Sequence, residues 1–389
     1  EGMNALMKKR TIRSRLFFIV LVLLILYSAW LGWKIKEFTR AEQKFPQPAG
    51  PPFEIVGVYH IHTSLSDGQK SPEKVARIAA RQGLDFIILT DHGRPNRASL
   101  ASQGWKNGTL VLAGSELSTN RGHLVGLGFD PPATSFSQNA EQAAREIESL
   151  GGFSVIAHPF SKTRWSWGKA MLYQGIEIID SDTMAKKNLF SALPYLPALF
   201  IKPQLYLLKT LERPDEPLKK WDRLSADEPV AGYFSADAHL AYAALFSCLR
   251  LHILLDAPLT KSFDPARRQI FAALRQGKFY NAIDAARPAG GFRFWARGKE
   301  SRSRLDGILP FDPLSPSILR VEAPFPFSFE IRLLRNGETL VLSKEKELTY
   351  TPDRPGVYRV EVYLRGRTPL DETIPWIVSN PIYFREGAK

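Results

Sequence analysis

The chain has one cysteine, Cys248, so no intramolecular disulfide is possible and the redox compartment leaves no mark on the sequence. It also lacks internal repeats. Acidic residues are fewer than basic ones, 39 against 52, yet no long basic stripe develops, which argues against nucleic acid as the main partner. The net charge of +13 is partly local. Lys8, Lys9, Arg10, Arg13 and Arg15 precede an apolar run, and a smaller cluster falls at Arg293, Arg297, Lys299, Arg302 and Arg304. The remainder is thinly spread and suits an anionic substrate or an anionic lipid surface. A hydrophobic content of 44% with 23% charged residues describes a folded chain, and 389 residues leave room for two domains with appendages.

Charge is missing altogether from Leu16 to Trp33, LFFIVLVLLILYSAWLGW. Such a run is just long enough to cross a hydrocarbon core of ~30 Å as a helix. A cleaved signal peptide is the rival reading, but the run is longer than a usual signal core and no clean small-x-small site follows it. Tyr27, Trp30 and Trp33 fall where an interfacial aromatic belt belongs. The sequence therefore predicts a basic cytoplasmic tail (1–15), a single-pass anchor (16–33) and a linker (34–53) containing PQPAGPP. Basic residues outnumber acidic ones more strongly before the run than after it, which places the N-terminus in the cytoplasm and the body outside, at a periplasmic or cell surface.

From residue 54 short apolar runs alternate with helical stretches, the pattern of an α/β domain. Strands are expected at 54–59, 85–89, 110–113, 123–129, 153–157, 175–179, 230–235 and 279–283. An insertion (181–229) interrupts them. Its apolar part holds Phe190, Leu193, Tyr195, Phe200 and Leu205, and Pro194, Pro197 and Pro203 forbid one continuous spanning helix. A helical lid beside the active site is the preferred reading, and a patch resting on the membrane is the alternative. After Pro288-Ala289-Gly290-Gly291 the pattern changes to short alternating strands with Asn336-Gly337 and Arg354-Pro355-Gly356 turns. It predicts an immunoglobulin-like β-sandwich over 289–389, following a catalytic domain over 54–288.

Seven histidines carry most of the functional information. His60 and His62 stand in HIHTSLSDG, which runs on to Asp67. His92 stands in TDH, Glu116 in GSE, His123 in RGH, His158 in AHP, and Asp237 and His239 in DAH. Each except His123 falls at or just past the end of a predicted parallel strand, and His123 opens one. Parallel strands that feed helices put those ends on one rim. Nine Asp, Glu and His residues converging there call for divalent cations, and imidazole with carboxylate suits Zn, Mn or Fe. In an extended segment the two imidazoles of H-x-H point to one side, and Asp237 with His239 repeats that spacing. His252, in LRLHILL, reads as a packing or hydrogen-bonding histidine.

The ordered set HIHTSLSDG, TDH, GSE, GH, AHP and DAH resembles the PHP (polymerase and histidinol phosphatase) family over residues 54–283. The resemblance implies a distorted (β/α)7 barrel with two or three divalent ions. By position, His60, His62, Asp67, His92, Glu116, His123, His158, Asp237 and His239 fill all nine ligand places, with Glu116 as the residue shared between metals. The later β region, with GGFRFWA and PWIVSNPIYF, looks like the carbaryl-hydrolase-like branch.

The expected activity is metal-dependent hydrolysis, a phosphoesterase using a metal-bridging hydroxide and acting on a small-molecule or lipid-derived phosphate ester. Asp237 or His239 would assist proton transfer beside Glu116. Arg94, Arg121 and Arg164 stand near the ligands and would clamp a phosphate, although each also reads as a solvated loop charge. The competing readings are an ester, amide or carbamate hydrolase with the same centre, a nuclease, and a non-enzymatic surface-binding protein.

Overall fold

A computed structural model describes residues 2–41, 52–161, 165–168, 172–298 and 307–386. Half of the linker, residues 42–51, and Arg164 therefore lie outside the described residues. The first element is one helix, Gly2–Ala41. No proline interrupts it, and its stretch Arg15–Thr39 is long and apolar enough to cross a membrane.

The body is a mixed α/β structure. Strand Phe53–Ile61 lies in the interior of the larger sheet. It pairs in parallel with Phe86–Leu89, which pairs in parallel with Thr109–Ala113. On its other side Leu249–Leu255 and then Phe279–Ile283 add in antiparallel fashion. FIIL at 86–89 is buried throughout and apolar without alternation, as expected of a strand covered on both faces. A second sheet runs from the hairpin Ser115–Thr119/Gly122–Leu127 through Phe153–Ile156 and Gly175–Asp180 to Ala231–Ser235. Two isolated bridges, Ile61 to Ala238 and His92 to Glu116, stitch the sheets together. Both bridges involve or adjoin the candidate ligands, so the site lies on the seam.

The insertion is helical. Ser181–Lys187, Ala198–Ile201, Pro203–Thr210 and Asp215–Asp227 are helices, with a 3-10 turn at Leu193–Tyr195. Pro194, Pro197 and Pro203 each fall at or before the start of a short piece, where a missing N–H costs nothing.

The C-terminal region is rich in strands, but it is not a detached unit. Ile377–Ser379 pairs with both Phe279–Ile283 and Gly356–Leu364, which carries the larger sheet into the C-terminal region. A separate three-stranded sheet holds Arg293–Arg297, Ile318–Glu322 and Glu347–Tyr350. The region also braces the insertion. Arg359, buried, donates to both oxygens of Asp222 at 2.7 and 2.9 Å and to Glu361 at 2.6 Å.

His252 bonds Glu54 at 2.7 Å and Asp284 at 3.1 Å, and Glu54 also receives Arg293 at 2.6 Å. Burial alone would lower the His252 pKa, but the two carboxylates outweigh it and raise it from 6.5 to about 9. A shift of that size is worth on the order of 3 kcal/mol. Because the folded-state value is the higher one, the contribution is complete below pH 6.5 and is lost as pH rises through about 9. Thermal midpoints of the full chain should therefore fall between pH 6.5 and 9.5, and His252→Gln should flatten that slope. An equal slope in the variant would remove His252 as its cause.

Candidate metal centre

The first strand does not end as regular β structure. The register shifts between Val58 and Ile61, and His60 takes φ 65°, a left-handed backbone that non-glycine residues avoid. Simple strand alternation is thus not what brings His60 and His62 together; a local irregularity does. His158 and Asp237 share the feature, at φ 26° and 41°. Three of the nine candidate ligands are held in strained backbone, as functional sites often are.

Imidazole and carboxylate atoms converge closely. His60 Nε2 lies 3.1 Å from His62 Nε2, 3.1 Å from Glu116 Oε2 and 3.3 Å from Asp237 Oδ1. His62 Nε2 lies 3.0 Å from the same Glu116 oxygen and 3.2 Å from the same Asp237 oxygen. Glu116 Oε1 faces His123 Nδ1 at 2.6 Å and His158 Nε2 at 3.0 Å. Asp67 receives His62 Nδ1 at 3.2 Å, His239 Nε2 at 3.2 Å and His92 Nε2 at 3.5 Å. Three groups could each hold an ion within this cluster: His60, His62, Glu116 and Asp237; His62, Asp67, His92 and His239; and His92, Glu116 and His123.

Hydrogen-bond chemistry shows what the first group lacks. Glu177 accepts from His60 Nδ1 at 2.6 Å, so that nitrogen carries the hydrogen and the neutral ring presents a lone pair at Nε2. Four electron-pair donors then meet at separations of 3.0–3.3 Å. A single proton can satisfy only one pair among them, whereas a divalent cation satisfies all four. Asp237 Oδ1, buried, has no hydrogen bond of proper geometry among the described residues. The donor set fits a cation bound by nitrogen and oxygen.

Without a cation, protons must serve. Burial opposes charge on His62, but Asp237 and Glu116 outweigh it and raise the imidazole to about 9. His158 is raised to about 9 against the same burial, chiefly by Glu116 and Glu177. Metal binding and protonation therefore compete for these rings.

Sequence reasoning missed the residues behind the first shell of imidazoles. Glu177 bonds His60 through one oxygen and accepts the backbone N–H of His158 through the other at 2.8 Å. Asp91 accepts from Thr63 N at 2.6 Å and from Ser66 Oγ at 2.7 Å, which fixes the loop between His62 and Asp67. The apolar strand GIEIID offered one signal, since a carboxylate inside such a run needs a partner.

Asp67, Glu116, Asp237 and His239 open on a cavity of about 1300 Å³. Neither Arg94 nor Arg121 is among the lining residues. Arg94 spends its guanidinium on the carbonyls of Phe136 and Ser118, and Arg121 on the carbonyl of Ser166 and on Glu141. Cations reach the cavity from the insertion instead: Lys186, Lys187, Lys219, Lys220 and Arg223. Trp165 also lines the cavity, with Lys220 Nζ 4.2 Å from its ring centre.

No family model matches the chain. It is 36% identical over 101 residues to a 5'-3' exoribonuclease of Haemophilus influenzae, covering 23% of this chain and 36% of the relative. It is also 36% identical over 77 residues to a 3',5'-nucleoside bisphosphate phosphatase of Chromobacterium violaceum, covering 18% and 27%. The chain thus spans only about a third of the length of the curated relatives it matches. Among solved structures it is similar to a two-domain protein from Bacteroides vulgatus containing a PHP-like metal-dependent phosphoesterase. The phosphoesterase in that protein is itself a predicted one; the likeness has TM-score 0.41 and 15% identity, and covers 87% of this chain and 99% of that one. An amidohydrolase from Chromobacterium violaceum has TM-score 0.32 at 17% identity, covering 47% and 87%. The PHP resemblance of the sequence stands, and the bisphosphate phosphatase fits that family.

Proposed function

We propose that the chain is a PHP-type metal-dependent phosphoesterase with its helix Arg15–Thr39 as a membrane anchor. The reading rests on one observation: Nε2 of His60 and of His62 each lie 3.0–3.3 Å from one oxygen of Glu116 and one of Asp237, with all four residues buried. The stitched sheets are proposed to form the distorted barrel, and the body to lie outside the membrane. Placement in the carbaryl-hydrolase-like branch rests on GGFRFWA and PWIVSNPIYF alone.

A neutral imidazole has one lone pair, so His62 and His92 can each serve one ion at a time. Giving His62 to His60, Glu116 and Asp237 leaves Asp67, His92 and His239 as a second group. Glu116 then holds His123 and His158 as a third, which accounts for all nine residues. When bound, Zn, Mn or Fe would supply Lewis acidity and a lowered water pKa. The chain does the rest. Lys219 and Arg223, exposed on the insertion and facing the cavity, attract and orient a phosphate. His239 Nδ1 bonds the carbonyl of Asp237 at 3.0 Å, which fixes its tautomer and leaves Nε2 toward the cavity. Proton delivery to the leaving oxygen would fall to His239 only where its Nε2 is not held as a ligand, because Asp237 is nearly sealed behind imidazoles.

The test is the full chain in detergent, loaded with Mn or Zn. It is offered phosphomonoesters, a nucleoside 3',5'-bisphosphate, a short oligoribonucleotide, a carboxyl ester and a carbamate. Turnover of a phosphomonoester or bisphosphate, lost in His60→Ala, is the expected result. Turnover of the oligoribonucleotide alone would favour the nuclease reading, and turnover confined to the uncharged esters would overturn phosphoester hydrolysis.

A further inference from the structure

The apolar helix and the insertion are in contact. The Tyr27 hydroxyl donates to the carbonyl of Pro194 at 2.8 Å, and the Trp30 ring lies 5.1 Å from that of Tyr195. Lys202 Nζ sits 5.8 Å from the centre of the Phe38 ring, and Phe38 itself is fully buried. Beside this contact the insertion exposes a run of large apolar side chains. Phe190 is 81% exposed and Phe200 86%, with Leu189, Leu193, Leu196 and Ile201 also open. No hydrophobic face of that size belongs in water without a cover.

The length of the helix identifies the cover. Its exposed apolar stretch, Leu16 to Leu26, is eleven residues, roughly 17 Å at ~1.5 Å per residue. A hydrocarbon core of ~30 Å needs about 17–25 residues, so the span must continue past Tyr27 to about Trp33. The residues that complete it, from Tyr27 onward, are those against which the insertion packs. Tyr27 lies six residues before Trp33, the end of the apolar run, which puts Pro194 and Tyr195 roughly 9 Å beneath that level. A depth of ~5–10 Å is where in-plane amphipathic segments rest. The Tyr27 bond to Pro194 also fits, because an irregular backbone carbonyl in a lipid setting needs a donor from protein.

We infer that the segment from Leu189 to Ile201 is seated in the lipid bilayer beside the helix, as a second, non-spanning membrane contact. The seat brings the cavity to the membrane surface. Lys186 and Lys187 line the cavity and immediately precede the apolar face, at the level where anionic headgroups lie. This inference rests on the helix spanning the membrane and is independent of which ester is cleaved.

The test places single cysteines in the full chain at Leu24→Cys, Phe190→Cys and Phe200→Cys, each in a Cys248→Ala background. Each is labelled with an environment-sensitive dye and reconstituted in vesicles of neutral and anionic phospholipid. All three sites are exposed, so labelling disturbs no packing. Quenching by spin-labelled lipid should be strong at all three, with aqueous iodide having little effect. Lipid quenching at 24 but iodide quenching at 190 and 200 would overturn the seat and leave the span intact. Shielding of 190 and 200 from both quenchers would point to a second copy of the chain as the cover, and also overturn it. Iodide quenching at all three would remove the span and the seat together.

Discussion

Glu116→Gln should abolish turnover, by at least about a thousandfold, or about 4 kcal/mol of transition-state stabilisation. Glu116 is 1% exposed and is ringed by imidazole nitrogens. His123 and His158 approach one oxygen; His60, His62 and, at 3.5 Å, His92 approach the other. Without it, the first group loses its shared carboxylate and the third loses its only anion. Glutamine preserves the volume but replaces one oxygen with an NH2, and its charge is gone. Burial works against a charged Glu116, and the surrounding histidines overcome it and hold the carboxyl well below its usual range. It is therefore ionised at any pH suitable for assay, and the variant removes a real negative charge. Bound metal per chain, read by elemental analysis, should fall along with activity, while far-ultraviolet circular dichroism stays unchanged. Full metal content with full turnover would show that Glu116 is not the shared ligand.

How much of this was legible beforehand follows from the range of the interactions. The strand ends holding His62, His92 and His158 are set by local apolar runs, and those runs are visible in the sequence. Glu116 was placed just beyond a strand, but it lies inside Ser115–Thr119, the first arm of a hairpin closed at Gly122. GSELST has too few apolar residues to announce a strand, and its pairing with Gly122–Leu127 provides the stability. The C-terminal strands were legible from their alternation. Their continuity with the first sheet was not, because Phe279–Ile283 and Ile377–Ser379 are distant in the chain and nothing local encodes their pairing. The setting of Arg94 and Arg121 was not legible for a similar reason. Closeness in sequence to a ligand does not settle where a long side chain points, and these two point at backbone carbonyls. The cations that face the cavity are supplied by the insertion, from helices Ser181–Lys187 and Asp215–Asp227.

Glu177→Gln should weaken metal binding by about 10–100-fold while leaving most of the maximal rate recoverable at saturating metal. Glu177 bonds His60 at Nδ1 and not at the Nε2 that meets the other donors, so it acts through His60 and His158. Its two oxygens accept from two donors, His60 Nδ1 at 2.6 Å and the His158 backbone N–H at 2.8 Å. Glutamine has one accepting oxygen, so one donor must face an NH2 instead. A buried donor left in that state costs about 1–3 kcal/mol. If the oxygen stays with His158, His60 loses the bond that fixes its hydrogen on Nδ1, and the lone pair at Nε2 is no longer assured. If it stays with His60, the strained backbone at His158, φ 26°, loses its tether. Either outcome disorders a proposed ligand without removing it. A purely structural role would instead lower the folded fraction and leave the metal affinity of the folded remainder unchanged. Titration with Mn by competition against a chelating dye, with thermal unfolding measured in parallel, separates the two. Unaltered affinity in the folded variant would mean that Glu177 braces the strand Gly175–Asp180 and does not orient the centre.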